Sequence, residues 1–186
     1  MKHMIAAAVL LLGVTPAFAA DPPQLPNSTK TPGVVATGVP NEEKTTECLS
    51  DLMGRPVRAG DPLTHDMLCH PNYTKCVRSV SEEEKKQVYE NYGLAGDRTG
   101  YCSGPQGCEI DHLISLELGG ANDVKNLWPQ AYHGLDWNAH VKDHLEDKLK
   151  EMVCKQNFPL AEAQKEVRTN WIESFKKNIG PTPTTK

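Results

Sequence analysis

The sequence predicts an α+β domain stapled by disulfides, and three observations carry that prediction. Two short apolar segments of extended character flank a Gly119-Gly120 turn near the middle of the chain. Helical periodicity then dominates from about residue 137 to residue 178. All six cysteines (Cys48, Cys69, Cys76, Cys102, Cys108 and Cys154) follow an N-terminus built like an export signal.

That N-terminus comes first. Met1-Lys2-His3 is basic, Ile5 to Val14 is apolar, and Ala17-Phe18-Ala19-Ala20 ends in small residues. The order matches a cleavable signal over 1–20, too short to span a bilayer, and implies a periplasmic or secreted protein. Residues 21–46 are rich in proline, glycine and threonine without apolar periodicity and read as a flexible leader. Residues 47–179 form the expected domain, and 180–186, with Pro181 and Pro183, a disordered tail.

Within the domain, Ser81-Glu82-Glu83-Glu84 has the form of a capping box, so a short helix is expected over 82–92. A loop follows from Gly96 to Gly107. Glu109 to Leu118 reads as a strand, and Val124 to Trp128 as a second, closed by Pro129. Helices are expected at 137–154 and 160–178, the latter with Leu160, Ala163, Val167, Trp171 and Phe175 at helical spacing.

The cysteines favour disulfides over zinc, because closely spaced C-x-x-C pairs are absent. Cys102 with Cys108 is the one local pairing expected, across a turn-rich loop. The net charge of −4, which becomes −5 once Lys2 leaves with the signal, excludes a general nucleic-acid sponge. A nucleic-acid partner then requires a local basic patch and a metal ion.

The run Glu109-Ile-Asp111-His112-Leu-Ile-Ser-Leu-Glu-Leu-Gly119-Gly120, followed by Asn126-Leu127-Trp128-Pro129 and by Trp137-Asn138-Ala139 to Lys142-Asp143, resembles the HNH endonuclease signature. Tyr73-Thr-Lys-Cys-Val-Arg78 is similar to the same exported bacterial branch of that superfamily. The resemblance implies a ββα-metal core and hydrolysis of nucleic-acid phosphodiesters, of DNA and also RNA, with little sequence preference. It implies Asp111 as metal ligand, His112 as general base, and Asn126 as the residue that hydrogen-bonds backbone and holds the hairpin. The residue types suit those roles: imidazole is neutral near pH 7, and a carboxylate holds a hard divalent ion. Mg²⁺ is the expected cofactor, with Mn²⁺ or Zn²⁺ as alternatives.

The superfamily's metal ligand on the helix has three candidates, Asn138, His140 and His144. At about 100° per residue, Asn138 shares a face with Val141, Leu145 and Leu149, whereas the histidines fall about 200° and 240° away. Asn138 is therefore the expected second metal ligand, although asparagine also suits a helix N-cap. Lys142, one turn on, is expected to reach a phosphate. The competing function is a non-catalytic exported domain that keeps the fold and binds a metal or a partner.

Overall fold

The computed structural model describes residues 24–94 and 107–185, so the export-type start and residue 102 lie outside the described residues. The expected Cys102–Cys108 bridge therefore falls outside them too, although Cys108 is disulfide-bonded. Among the described residues the chain is a mixed helical and β structure. Four N-terminal helices, α1 (Glu43–Met53), α2 (His65–Leu68), α3 (Tyr73–Val77) and α4 (Glu82–Asn91), precede an antiparallel hairpin of β1 (Cys108–His112) and β2 (Leu127–Ala131). Two long helices follow, α5 (Ala139–Gln156) and α6 (Leu160–Asn178).

Two packed clusters build the interior. The larger joins Trp128 of the hairpin to Val141, Leu145 and Leu149 of α5 and to Val167, Trp171 and Phe175 of α6. The smaller gathers Leu49, Met67, Leu68, Tyr73 and Val77 of the first three helices with Val39 and Leu116. Disulfides tie the pieces: Cys48–Cys76 joins α1 to α3, and Cys69–Cys154 joins the end of α2 to α5. The second closes an 85-residue separation, so each bridge removes about 4 kcal/mol of unfolded-chain entropy in a loop-closure picture. Two such bridges point to an oxidising environment. No described helix is long and apolar enough to cross a membrane.

α4 begins as the sequence predicts, with Ser81 accepting from the Glu84 amide and the Glu84 carboxylate accepting from the Ser81 amide. The two strand expectations shift. β1 stops at His112, and the apolar run beyond it bends into a 3₁₀ turn at Leu116–Leu118. Likewise Val124–Asn126 is a 3₁₀ turn, and β2 begins at Leu127 and continues through Pro129. Proline is tolerated there because a two-stranded ribbon leaves each strand one unpaired edge.

Asn126 is the reason the chain bends. Its fully buried amide donates to the carbonyls of Ile114 and Ala121, and its Oδ1 accepts from the amides of Ile114 and Val34. One side chain thus takes over backbone groups that a longer strand ladder would have satisfied. The two turn glycines act differently. Gly119 has φ 73°, the left-handed region. Gly120 is needed for space, since a Cβ there would lie 1.8 Å from the Ile114 carbonyl oxygen.

The leader expectation is corrected from residue 24 onward. Residues 24–42 lie against the body: Thr31, 1% exposed, donates to the Leu127 carbonyl, and Val35 bridges Gly120 in antiparallel fashion. Trp171 Nε1 donates to the Gln24 carbonyl. Low apolar periodicity hid this strap, because it is held by scattered hydrogen bonds and by single apolar residues such as Val35 and Val39 rather than by a continuous apolar face. α1 also begins at Glu43, inside the segment expected to be leader. The tail touches the body through the Gly180 amide, which donates to the Phe175 carbonyl, and through Thr184 O, 3.1 Å from His144 Nδ1.

Gly120→Ala is expected to destabilise the fold by more than about 3 kcal/mol, and Gly119→Ala by only about 1 kcal/mol. Urea denaturation of the oxidised chain separates them, and equal losses would contradict the close-approach argument.

Candidate active site

β1 alternates its side chains. Glu109 and Asp111 occupy one face, opposite Gln130 and Trp128 of β2, while Ile110 and His112 occupy the other. Trp128 packs with Val141 and Leu145, so the Asp111 face is the one covered by α5. The expectation that Asp111 and His112 converge on one phosphate requires the strand to end or bend there. β1 does end at His112, whose pairing with Leu127 is the last of the ladder. Asp111 turns to the helix and His112 to a cleft.

That cleft has a volume of about 1510 Å³, and its lining includes Arg78, Ser81, Glu109, His112, Asn122 and Asp123. His112 is 4% exposed. Its Nε2 lies 3.0 Å from Asn122 Oδ1, and Asn122 Nδ2 donates to the Val77 carbonyl at 2.6 Å. The carbonyl of Val77 can only accept, so the Asn122 amide is oriented with its oxygen toward His112. His112 must then carry its proton on Nε2, which leaves the Nδ1 lone pair as the basic position. Burial pushes the His112 pKa below the ordinary imidazole value; Asp111 and Asn122 oppose that, and Arg78 and Lys142 add to it. His112 is accordingly neutral at pH 7.

Glu109 goes the other way. Burial, followed by repulsion from Asp111 and Asp143, raises it to about 7 against the pull of Lys142 and Arg78. Glu109 leaves β1 on the Asp111 face, opposite His112, although it also borders the cleft, where exposed Arg78 stands beside the neutral imidazole. Arg78 also lines a neighbouring cavity of about 640 Å³, with Glu117, His140, Asp143, Glu146 and Asp147.

Beneath the hairpin, Lys142 is buried completely. Its Nζ donates to Asp111 Oδ2 and to the His112 carbonyl, each at 2.7 Å, and to Glu146 Oε1. Burial opposes the charge on Lys142, but Asp111 and Glu146 outweigh it and hold the ammonium above its usual pKa. One ammonium between two carboxylates leaves a negative charge over, and burial raises the Glu146 carboxyl accordingly. The expectation that Lys142 reaches a phosphate is thus corrected. It lies on the inward face, as its position one turn after Asn138 requires, and all three of its donors are spent.

Asn138 is corrected as well. It is the N-cap of α5: Oδ1 accepts from the Val141 amide at 3.2 Å and Nδ2 donates to the Leu135 carbonyl at 2.8 Å. An ion at the place the motif implies would therefore have to share the Asp111 carboxylate with the Lys142 ammonium, and would find the Asn138 amide already bonded at the α5 terminus. Asp111 also belongs to no group of three His, Cys, Asp or Glu ligand atoms within 4.8 Å of one another among the described residues. The group that meets this test is His65, Cys69 and Cys154, whose two sulfurs are joined in a disulfide. Of the other histidines, His140 and His133 stack on Tyr132, and His144 lies against Phe175.

Sequence reasoning missed Asn122, Arg78, Glu109 and Glu146 as site residues. Two of them carried a legible signal: Glu109 shares the strand face of Asp111 at i−2, and Glu146 lies at i+4 from Lys142. Asn122 is a turn residue by composition, and only its contact with Val77, 45 positions away, gives it a role. Comparison of the chain with protein-family models, with curated proteins and with solved structures finds no match.

His112 is expected to titrate below the ordinary value of 6.5, with its neutral form protonated on Nε2. Long-range ¹H–¹⁵N spectra of the oxidised chain read both properties. Asn122→Ala should move His112 toward a mixture of tautomers, and an unchanged tautomer would contradict the anchoring assigned to Asn122.

Proposed function

We propose that this chain is an exported endonuclease that hydrolyses nucleic-acid phosphodiesters, DNA and also RNA, by general base catalysis in the His112 cleft. The observation that carries the reading is the neutral imidazole at the cleft wall, its Nε2 proton directed to Asn122 and Arg78 lining the same cleft. In support of membership of the HNH superfamily stand the D-H pair at the end of β1, the Asn126 clamp, and the order hairpin then helix. The two disulfides agree with a periplasmic or secreted location, and residues 1–20 have the composition of its signal.

In the proposed reaction His112 Nδ1 takes a proton from water as the oxygen attacks phosphorus. Arg78 pairs with the non-bridging oxygens, where a guanidinium gains charge-assisted hydrogen bonds. Solvent water gives a proton to the departing alkoxide as the P–O bond breaks, and the neutral imidazole supplies the base. The family resemblance implies 5′-phosphate and 3′-hydroxyl products. With no module for reading bases in evidence in the sequence, backbone contact dominates and sequence preference is small.

A second reading, a non-catalytic exported domain, draws on a specific observation: the expected metal ligands Asp111 and Asn138 both serve structure. The two readings part in one assay. Purified mature oxidised protein should nick plasmid, and His112→Ala should lower the rate about 10²- to 10⁴-fold, the span of a general base. Full activity in that variant, or no cleavage by the wild type, favours the non-catalytic domain.

The pH profile carries a further expectation. Activity should fall on the acid side as His112 gains a proton, with a midpoint below 6.5. A rate that stays level as the pH falls through that range assigns the base to another group.

A further inference from the structure

We propose that the Lys142 ammonium is the fixed cation of this site, standing beside Asp111 where the HNH resemblance gives a divalent metal. The proposal rests on the superfamily reading for what it replaces, but its geometry is independent of activity. An ammonium has three N–H donors and no acceptor. Here they go to Asp111 Oδ2, the His112 carbonyl and Glu146 Oε1, which meets the full capacity of the group without water.

Lys142 is wholly enclosed by protein, whereas Asp111 and Glu146 keep only 17% and 13% side-chain exposure. A divalent ion on Asp111 would share that carboxylate with the ammonium and meet it as a like charge. On the helix, the Asn138 amide is already engaged, Oδ1 accepting from the Val141 amide and Nδ2 donating to the Leu135 carbonyl.

The ammonium also acts in a way a metal ligand set would not. By binding the His112 carbonyl as well as the Asp111 carboxylate, it fixes the backbone from which the imidazole projects. Lys142 is therefore a positioning residue, acting through His112, and not a group that touches substrate. The cleft then performs its chemistry with His112 and Arg78, and no divalent ion enters a step.

The test is a Mn²⁺ titration of the full oxidised chain, followed by paramagnetic broadening in ¹H–¹⁵N spectra. At one equivalent, the amides of Asp111 and His112 are expected to stay sharp. Their selective loss at that ratio would overturn the proposal, whatever the protein does to nucleic acid. Lys142→Met removes the ammonium and leaves two facing carboxylates, so the variant, its fold checked by circular dichroism, should bind Mn²⁺ at least tenfold more tightly than the wild type. A folded variant that binds no tighter counts against us.

Plasmid cleavage in excess EDTA is the activity arm. Undiminished nicking supports the proposal, and nicking abolished by EDTA and restored by Mg²⁺ or Mn²⁺ overturns it. Absence of nicking with and without metal would end the nuclease reading and leave the Mn²⁺ titration to decide the role of Lys142.

Discussion

A charged lysine with no access to water is the constraint around which the hairpin and α5 are arranged. Burying an ammonium costs several kcal/mol after relaxation, and the cost is met only when opposite charge and hydrogen bonds surround it closely. Lys142 has both: carboxylates from β1 and from the next turn of its own helix, and a backbone carbonyl at the end of β1. Those partners come from two elements, so the ion group fixes their register as well as their distance. Removing the ammonium alone would strand two buried carboxylates, a change of the kind that costs about 3–5 kcal/mol.

Asparagines extend that order outward. Asn126 joins the turn after β1 to the residue 24–42 strap by four hydrogen bonds, and Asn122 joins the same turn to the end of α3 while holding His112. Both use an amide's ability to donate and accept at once, in a region where a ladder has ended and backbone groups need partners. The imidazole is thus held from two directions: by Asn122 at its Nε2 and by Lys142 through its own carbonyl. A base with a fixed tautomer and a fixed backbone is already arranged for proton transfer.

The sequence carried the parts of this structure that depend on periodicity and local chemistry. The Ser81 capping box, the long helices with their apolar faces and the Gly119-Gly120 turn were legible, because each repeats a rule over a few adjacent residues. Helices α1 to α3 were not anticipated; two of them have four and five residues, too few to show a period. The strap escaped for a similar reason, being bound by isolated contacts such as Thr31 to Leu127 and Asn126 to Val34 that show no period. At the site, Asp111, His112 and Asn126 were singled out by motif, and Asn126 hydrogen-bonds the backbone around the turn. The inward face of α5 was legible for Lys142, which is buried, whereas Asn138 is half-buried at the helix cap, and the partners of neither were legible. Whether an inward lysine meets a phosphate or a carboxylate depends on residues 31 positions apart, and spacing along one helix says nothing about that.

The electrostatic pattern that results is unusual for a site expected to hold a metal, since its cation is covalently part of the chain. The most direct measurement of this account is the ¹⁵N-resolved proton spectrum of the lysine side chains. The account predicts one ammonium signal protected from solvent exchange at neutral pH, assigned to Lys142 and still protonated at 10.5, the ordinary lysine value. A spectrum in which the Lys142 ammonium exchanges as fast as the surface lysines, or titrates at or below that value, would contradict it.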